Sequence, residues 1–322
     1  IAYDKKCEHI WKNDLEKLQS KFKIKQLGEL KQILGLQITR NESGFILNQS
    51  KYIDELISTH KLVNTREITT PCTSDINQLI TEEIYSQSNV LDSGQQQQYQ
   101  SIVGAILYIS NRTRPDITFI TAILTRFCTK GYLTHLHAAI RVLQYLKFTK
   151  HLGITIIKNN SSESLFNIDC YTDASYGNNI NYKSTIGHVL KLNGNTIIWN
   201  STKAKLTTLS TTEAEFVAAV SGTTEAIYVS QLVHELLNIT VIPTIYCDNN
   251  ATIQLTSSTR LHQRTKHLNI KYSYLRDLYQ HKNIHIMYIN TAQQLADILT
   301  KPLMGSQFKY LRDQLLVSTN KN

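Results

Sequence analysis

The sequence is poor in the residues that mark several protein classes. Its 322 residues include only 4 prolines, 12 glycines and 5 cysteines, and 18% of them are charged. The scarcity of proline and glycine excludes a collagen-like chain, and the 41% hydrophobic content excludes a broadly disordered one. No apolar run reaches about 18 residues, so no membrane-spanning segment is expected. No signal-peptide pattern opens the chain, which favours a protein that is not secreted.

The cysteines are scattered, and the charge is moderately basic. The five cysteines form neither a C-x-x-C pair nor a Cys/His ligand cluster: Cys7, Cys72, Cys128, Cys170 and Cys247. An odd, dispersed set indicates reduced thiols in an intracellular protein rather than a disulfide framework. Lys and Arg number 34 against 25 Asp and Glu, which gives a net charge of +9. This balance fits a polyanionic partner without requiring one.

The first half of the chain carries mainly helical patterns. Residues 40–45 have the composition of a hairpin turn, whereas residues 64–98 are rich in Thr, Ser, Asn and Gln and are predicted to be mostly irregular. Apolar periodicity then predicts three helices, over 101–110, 115–128 and 135–148. Seven basic side chains in this block are interpreted either as solvated helix faces or as a phosphate-tracking surface: Arg112, Arg114, Arg126, Lys130, Arg141, Lys147 and Lys150.

The second half has a different pattern, in which strands precede and alternate with helices. Asn193-Gly194 is a strong hairpin signal between two of the strands. Strands are predicted over 166–172, 185–192, 195–199, 241–247 and 284–289. Helices are predicted over 211–237, 250–257 and 267–281, with a closing helix from about residue 292. This order predicts a mixed sheet covered by helices.

Two aspartates stand where predicted strands end. Asp173 closes the run Cys-Tyr-Thr-Asp, and Asp248 closes the run Ile-Tyr-Cys-Asp. Open α/β sheets present their ligand sites at such strand exits, so the two carboxylates converge if the strands are neighbours. Converging carboxylates need a proton or a cation between them, and oxygen ligands suit Mg²⁺ or Mn²⁺. Each aspartate taken alone also fits a helix N-cap or a turn.

Two further acids lie on predicted helices. Ser210 and Glu213 match a capping box, in which Glu213 reaches back to the N–H of the cap. Glu215 lies on another side of this helix, followed by Ala218 and Ala219, small residues that would let the helix approach the sheet. Glu215 is therefore the preferred third ligand, with an exposed helix glutamate as the alternative. Asp297 borders the apolar stripe of the closing helix and is either a fourth ligand or a surface acid.

Ordered motifs run through nearly the whole chain. The first half contains LGELKQILGLQI (27–38), YIDELI (52–57), YQSIVGAILYISNRTRPDI (99–117) and AIRVLQYLKFT (139–149). The second contains YTDASYG (171–177), KSTIGHVL (183–190), LSTTEAEFVA (209–218), YCDNNATIQL (246–255), HQRTKHLNIKY (262–272) and QLADILTKPL (294–303). The set resembles the C-terminal part of a copia-type (Pseudoviridae) LTR retrotransposon Pol polyprotein, that is, the tail of the reverse transcriptase followed by its ribonuclease H domain.

The resemblance implies a fold and a domain order. The fold is α/β, a ribonuclease H-like mixed five-stranded sheet with flanking helices, preceded by a mainly helical region with a short hairpin. The implied segments are the end of the reverse-transcriptase palm and start of the thumb (1–75), an irregular connector (76–98), a helical thumb- or connection-like region (99–157) and a ribonuclease H domain (165–322).

The resemblance also implies an activity and its residues. The activity is metal-dependent hydrolysis of the RNA strand of RNA–DNA hybrids with two Mg²⁺ ions, for which Mn²⁺ is a substitute. The implied metal ligands, which are also the catalytic residues, are Asp173, Glu215, Asp248 and Asp297. Five further residues are interpreted as contacts to nucleic acid: Asn249, Asn250, His262, Lys266 and His267. For the last three, packing and capping at a helix start is the alternative.

Two departures from the family pattern limit these expectations. The Tyr-x-Asp-Asp motif of reverse transcriptases is absent, so the polymerase site is expected in an upstream part of the same polyprotein and not in this chain. No histidine stands just before Asp297, where cellular ribonucleases H carry an assisting one. The alternative function is a non-catalytic nucleic-acid-binding or structural remnant of a transposon. The expected location is a cytoplasmic virus-like particle or the nucleus.

Overall fold

The computed structural model describes residues 8–25, 28–41, 44–63, 65–80, 89–157, 166–178, 182–257 and 269–319. The helices are α1 (Glu8–Lys21), α2 (Ser50–Thr59), α3 (Asn77–Ile80), α4 (Ser93–Ser110), α5 (Thr118–Leu124), α6 (Leu133–Phe148), α7 (Thr211–Leu237), α8 (Asn250–Ser257), α9 (Asn269–Gln280) and α10 (Gly305–Leu315). The strands are β1 (Gln32–Ile33), β2 (Leu36–Asn41), β3 (Gly44–Asn48), β4 (Leu152–Ile157), β5 (Ile168–Ser175), β6 (Thr185–Leu192), β7 (Asn195–Lys203), β8 (Thr244–Cys247), β9 (His285–Tyr288) and β10 (Val317–Ser318). Short 3₁₀ turns lie at Pro115–Ile117, Thr125–Phe127, Thr291–Gln293 and Leu295–Leu299.

The second half of the chain forms one mixed sheet in the order β7-β6-β5-β8-β9. β5, β6 and β7 are antiparallel, whereas β5, β8 and β9 run parallel to one another. Asn193 and Gly194 have φ angles of 49° and 77°, the left-handed conformation that a tight turn between β6 and β7 requires. The predicted mixed five-stranded sheet with flanking helices and the predicted hairpin are both confirmed.

Helix α7 lies almost directly on β5 because small residues face the sheet. Ala214 and Ala218 are fully buried. A Cβ atom added at Gly222 would lie 2.5 Å from Thr172 Cγ2 and 2.8 Å from Cys170 Sγ, which is far inside van der Waals contact. The close approach holds the first turn of α7 next to the end of β5. Among the described residues, α7 is also the one helix long and apolar enough to cross a membrane by length and composition, with half of that window buried against the protein, as in a core helix.

We expect Gly222→Ala to destabilise the protein by about 1–3 kcal/mol, because the added methyl group overpacks the contact between α7 and β5. The matched control is Gly104→Ala in α4, where an added Cβ meets nothing within 4 Å. That change is expected to stabilise by about 0.5–1 kcal/mol through helix propensity. Chemical denaturation of both variants measures the difference. Stabilisation by both alanines would mean that the helix does not lie this close to the sheet.

The first half forms a second, antiparallel sheet in the order β1-β2-β3-β4-β10. The predicted hairpin is present as β2 and β3, but β4 and β10 were not predicted. β10 pairs with β4 through Val317 and Gly153, so the C-terminus of the chain returns to the first half. Leu299, Leu311 and Leu315 also belong to the hydrophobic cluster that holds α4 and α6 together. The two halves therefore share a hydrophobic core.

Two segments differ from their sequence-based predictions because side chains cap unexpected turns. The connector predicted to be irregular over 76–98 contains α3, and α4 begins at Ser93 because Asp92 and Gln95 form a capping box. The closing helix predicted from about residue 292 is instead a pair of 3₁₀ turns followed by α10. Asn290 and Gln294 each accept a hydrogen bond from the backbone N–H two residues ahead, so each starts its own short turn.

One of the seven basic side chains of the helical block fits neither predicted interpretation. Arg114 is fully buried, and its Nε and Nη2 atoms donate to Asp116 over 2.9 and 2.7 Å. Its Nη1 and Nη2 atoms also donate to the carbonyl and hydroxyl oxygens of Thr149. Tyr145 donates to Asp116 over 2.5 Å. Arg114 is thus a structural cation that ties the start of α5 to the end of α6.

Candidate metal centre

Three of the predicted acids converge at one edge of the mixed sheet. β5 and β8 are parallel neighbours paired at Tyr171 and Tyr246, so Asp173 and Asp248, each two residues further on, emerge side by side. Asp297 reaches the same place from the 3₁₀ turn Leu295–Leu299. One carboxylate oxygen from each of the three aspartates lies within 4.8 Å of the others. The strand-exit prediction for the two aspartates is therefore matched by the geometry.

The fourth acid, Glu215, enters the cluster from the first turns of α7. It is 8% exposed, and one of its oxygens lies within 4.8 Å of Asp248 and of the Cys247 thiol. Its Oε2 atom is buried and has no hydrogen-bond partner among the described residues. Burial, and then the charges of Asp173 and Asp248, raise the pKa of Glu215 to about 9. An ionised Glu215 is therefore unfavourable here unless a cation binds beside it. Without a cation, the side chain keeps its proton.

Glu213 is not part of this cluster. Ser210 Oγ accepts from the Glu213 N–H over 3.2 Å, as predicted for the cap of α7. The Glu213 side chain accepts from the N–H of Leu209 over 2.7 Å, one residue before the cap, rather than from Ser210 itself. The choice of Glu215 over Glu213 as the acid facing the other carboxylates agrees with the geometry.

Three residues of the site were missed by the sequence analysis. Lys301 Nζ lies 3.2 Å from Asp173 Oδ1 and 2.8 Å from Asp297 Oδ1. Thr300 donates its hydroxyl to Asp173, and Thr291 donates to Asp248 over 2.9 Å. The spacing of Asp297 and Lys301, four residues apart, was the available signal.

The cluster carries more negative than positive charge. Burial and the neighbouring Asp173 raise the pKa of Asp297 to about 7, although the Lys301 ammonium acts in the opposite direction. For Lys301, burial alone would lower the pKa, but the charges of Asp173 and Asp297 outweigh it and raise the pKa. Four carboxylates face one ammonium group, which leaves a site that a hard divalent cation with oxygen ligands fits. The Cys247 thiol is its one soft neighbour among the described residues.

Comparisons with known proteins identify relatives of the sequence. It is 32% identical over 308 residues to the Retrovirus-related Pol polyprotein from transposon RE1 of Arabidopsis thaliana. The matched region covers 95% of this chain and 20% of that protein. It is 30% identical over 325 residues to the corresponding polyprotein from transposon TNT 1-94 of Nicotiana tabacum, covering 99% and 24%. The chain is a relative of the copia-type retrotransposon Pol polyproteins. The predicted resemblance is confirmed.

The chain spans about a fifth to a quarter of the length of those curated polyproteins. A yeast relative, the Transposon Ty1-LR3 Gag-Pol polyprotein of Saccharomyces cerevisiae, is 32% identical over 216 residues, covering 67% of this chain and 12% of that protein. No family model matches the chain.

Solved structures similar to this chain include ribonucleases H. LC11-RNase H1, solved in complex with an RNA/DNA hybrid, is 18% identical with a TM-score of 0.32 and covers 41% of this chain and 93% of its own. The N-terminal ribonuclease H domain of a Mycobacterium tuberculosis protein is 13% identical with a TM-score of 0.32, covering 42% and 91%.

The five residues predicted to contact nucleic acid fall into two groups. Asn249 accepts a hydrogen bond from the Thr252 N–H over 3.0 Å and so caps α8, while Asn250 is exposed at the first position of that helix. This hydrogen bond gives the Asn249 side chain a structural role at the start of α8. His262, Lys266 and His267 lie outside the described residues.

The raised pKa of Glu215 predicts that the stability of the metal-free protein depends on pH. Between about pH 7.5 and pH 8.5, above the pKa of about 7 of Asp297, the folded state keeps a proton on Glu215 that the unfolded state has lost, so the free energy of unfolding falls as pH rises, by on the order of 1 kcal/mol per pH unit. His188, whose pKa burial lowers to about 4, is neutral in both states over most of this range.

Denaturation in a chelator at several pH values measures this dependence. Glu215→Gln is expected to flatten it and to stabilise the metal-free protein at pH 8.5. Glu213→Gln, outside the cluster, is the matched control and is expected to keep the slope of the wild type. A wild-type stability that stays constant over this range would contradict the buried, proton-dependent glutamate.

Proposed function

We propose that the chain is the ribonuclease H part of a retrotransposon Pol polyprotein, which hydrolyses the RNA strand of RNA–DNA hybrids with divalent metal ions. The observation that carries the proposal is the position of Glu215, which is buried beside Asp248 with one oxygen unpartnered among the described residues, while Asp248 also converges with Asp173 and Asp297. Burying several carboxylates together is costly unless they serve a cation. The relationship to Pol polyproteins supports the choice of nucleic acid as the substrate class.

The donor set fits magnesium. Asp173, Asp248 and Asp297 offer oxygen atoms close enough to share one ion, and Glu215 and Asp248 offer a second position. Divalent ions held there would supply a Lewis acid for activating a water molecule and for stabilising the leaving oxygen of the phosphodiester. We propose these four acids as the metal ligands and catalytic residues.

The protein's own residues give the site its shape and charge. Thr300 and Thr291 donate hydrogen bonds to Asp173 and Asp248, which fixes the orientation of these carboxylates before any ligand arrives. Lys301 neutralises part of the repulsion between Asp173 and Asp297, so the cluster is held together in the metal-free state.

The proposal is tested by incubating the full chain with a labelled RNA–DNA hybrid, a double-stranded RNA and a double-stranded DNA of one sequence. Mg²⁺-dependent cleavage of the RNA strand in the hybrid alone is expected, and a chelator should stop it. Binding of the hybrid without any cleavage in Mg²⁺ or Mn²⁺ would overturn the proposed activity and favour a non-catalytic nucleic-acid-binding module.

A further inference from the structure

One of the two ligand groups in the acidic cluster includes a sulfur atom. The first group brings together Asp173, Asp248 and Asp297, which offer oxygen atoms only. The second brings together Glu215, Asp248 and the Cys247 thiol, whose ligand atoms all lie within 4.8 Å of one another. Asp248 belongs to both groups, so the two metal positions that they offer are adjacent. The second position therefore has a ligand chemistry that the first lacks.

The end of β8 holds the thiol in this place. Cys247 is the last residue of the strand and is fully buried. Its Sγ atom accepts a hydrogen bond from the Asn249 N–H over 3.5 Å and donates to the Asn249 carbonyl over 3.9 Å. These two contacts with the following turn fix the direction of the sulfur. Asp248 is partly exposed, which gives an ion from solvent a way to the group.

A second, independent observation points to a ligand in this group. Glu215 is 8% exposed, and its buried Oε2 atom has no hydrogen-bond partner among the described residues. A buried carboxylate oxygen without a partner is costly. The ammonium group of Lys301 forms its ion pairs with Asp173 and Asp297, at the first position. Among the described residues, the second position therefore has no cation of its own in contact with Glu215 or Asp248.

A thiolate beside two carboxylates suits a softer cation than magnesium. Magnesium requires nearly octahedral oxygen ligands and gives up its water reluctantly. Zinc is bound tetrahedrally, by thiolate sulfur at about 2.3 Å and by carboxylate oxygen at about 2.0–2.2 Å. Two such ligands of one ion lie roughly 3.5 Å apart, so side-chain movements of about 1 Å would bring the three atoms onto a zinc ion. Thiolate ligands also select zinc over magnesium.

We propose that Cys247, Glu215 and Asp248 form a zinc site, at which Zn²⁺ displaces Mg²⁺ and inhibits hydrolysis. The Cys247 thiol releases its proton to solvent when the ion binds. Three protein ligands leave a tetrahedral zinc ion one open position, whereas an octahedral magnesium ion keeps several for water and substrate. The inhibition rests on the proposed function, since it requires that the second position take part in hydrolysis, whereas the zinc site itself does not.

Cadmium tests the zinc site, because Cd²⁺ binds the same ligands and its bond to a thiolate gives an ultraviolet charge-transfer band. One equivalent of Cd²⁺ is expected to produce this band in the full chain. Cys247→Ser, which keeps an acceptor for the Asn249 N–H, should remove the band and weaken Cd²⁺ binding by at least about tenfold. Cys170→Ser is the matched control and should keep the band. Cys170 is equally buried but belongs to no group of three metal ligands among the described residues.

The acids give a second comparison within the cluster. Glu215→Gln is expected to weaken Cd²⁺ binding by at least about tenfold, whereas Asp297→Asn, at the first position, should change it by no more than a few-fold. Circular dichroism without metal shows that the variants fold. A Cd²⁺ band and affinity that are the same for Cys247→Ser and the wild type would overturn the zinc site. Equal effects of Glu215→Gln and Asp297→Asn would also overturn it.

The hybrid assay tests the inhibition separately. With Mg²⁺ held constant, the Zn²⁺ concentration that halves cleavage is expected to be at least about tenfold higher for Cys247→Ser than for the wild type. Equal concentrations for the two proteins would overturn the inhibition through Cys247. The Cd²⁺ measurements need no cleavage, so a chain that shows the thiolate band without cleaving the hybrid would contradict the proposed function and leave the zinc site in place.

Discussion

Asp173→Asn is expected to reduce Mg²⁺-dependent cleavage of the RNA–DNA hybrid by roughly 10³-fold or more. One Asp173 oxygen lies within 4.8 Å of an oxygen of Asp248 and of an oxygen of Asp297. The asparagine amide therefore removes a ligand charge from the centre of the site. Metal-ion catalysis is worth several kcal/mol, and each ~1.36 kcal/mol changes a rate tenfold. Asparagine keeps the size of aspartate, and it removes both the repulsion from the other acids and the ion pair with Lys301, so denaturation of the metal-free variant beside the wild type shows that it folds.

The matched control is Asp169→Asn, the same substitution four residues earlier on β5. Asp169 is half-buried. Burial raises its pKa, while Tyr246 and Lys191 act in the opposite direction, and the acids of the cluster are not among the causes of the shift. Its variant should cleave the hybrid within a few-fold of the wild type. Single-turnover rates with saturating enzyme give the comparison directly. Equal rates for the wild type and Asp173→Asn would remove the acidic cluster from the chemistry.

The strand-exit aspartates and Glu215 could be predicted because local rules decide them. A carboxylate that follows a strand of a parallel pair emerges at the sheet edge, whichever residues surround it. The capping preference of Ser210 occupies Glu213 nearby and leaves Glu215 on the side that carries Ala218, which lies against the sheet. Each of these steps uses residues only a few positions apart in the chain.

Apart from Lys301, the residues that the sequence did not reveal depend on contacts between distant segments. Thr300 reaches Asp173 across 127 positions, and β10 pairs with β4 across more than 150. Neither segment carries a pattern that names its partner. Leu311 and Leu315 of α10 form an ordinary apolar stripe, which does not specify that they complete the core of the first half. Such pairings follow from the whole fold and not from local propensity.

Arg114 shows the same limit for charge. A basic residue between Thr and Pro in a helical block is usually solvated, and the sequence does not show that Tyr145 and Thr149 enclose it. In the fold, burial alone would raise the pKa of Asp116, but the Arg114 charge and its two hydrogen bonds outweigh burial and lower it. Both members of the pair are completely buried, so water does not screen their charges. Among the described residues, each makes its one ion pair with the other.

Arg114→Met is therefore expected to destabilise the protein by about 3–5 kcal/mol, because it leaves the Asp116 carboxylate buried without its cation. Urea denaturation at neutral pH measures the loss. The variant should recover part of its stability as the pH falls and Asp116 becomes protonated, since protonation removes the uncompensated charge. The double variant Arg114→Met/Asp116→Leu is expected to be more stable than Arg114→Met, because no buried charge remains.

Lys150→Met provides the matched control for Arg114→Met. Lys150 forms an ion pair with Asp54 at 2.7 Å, but both side chains are about half exposed. Solvent screens this pair, so its loss is expected to cost at most about 1 kcal/mol. If Arg114→Met instead kept the stability of the wild type and weakened hybrid binding, Arg114 would belong to the phosphate-tracking surface after all. A large loss of stability for Arg114→Met and a small one for Lys150→Met would establish burial, rather than ion-pair distance, as the property that decides the contribution.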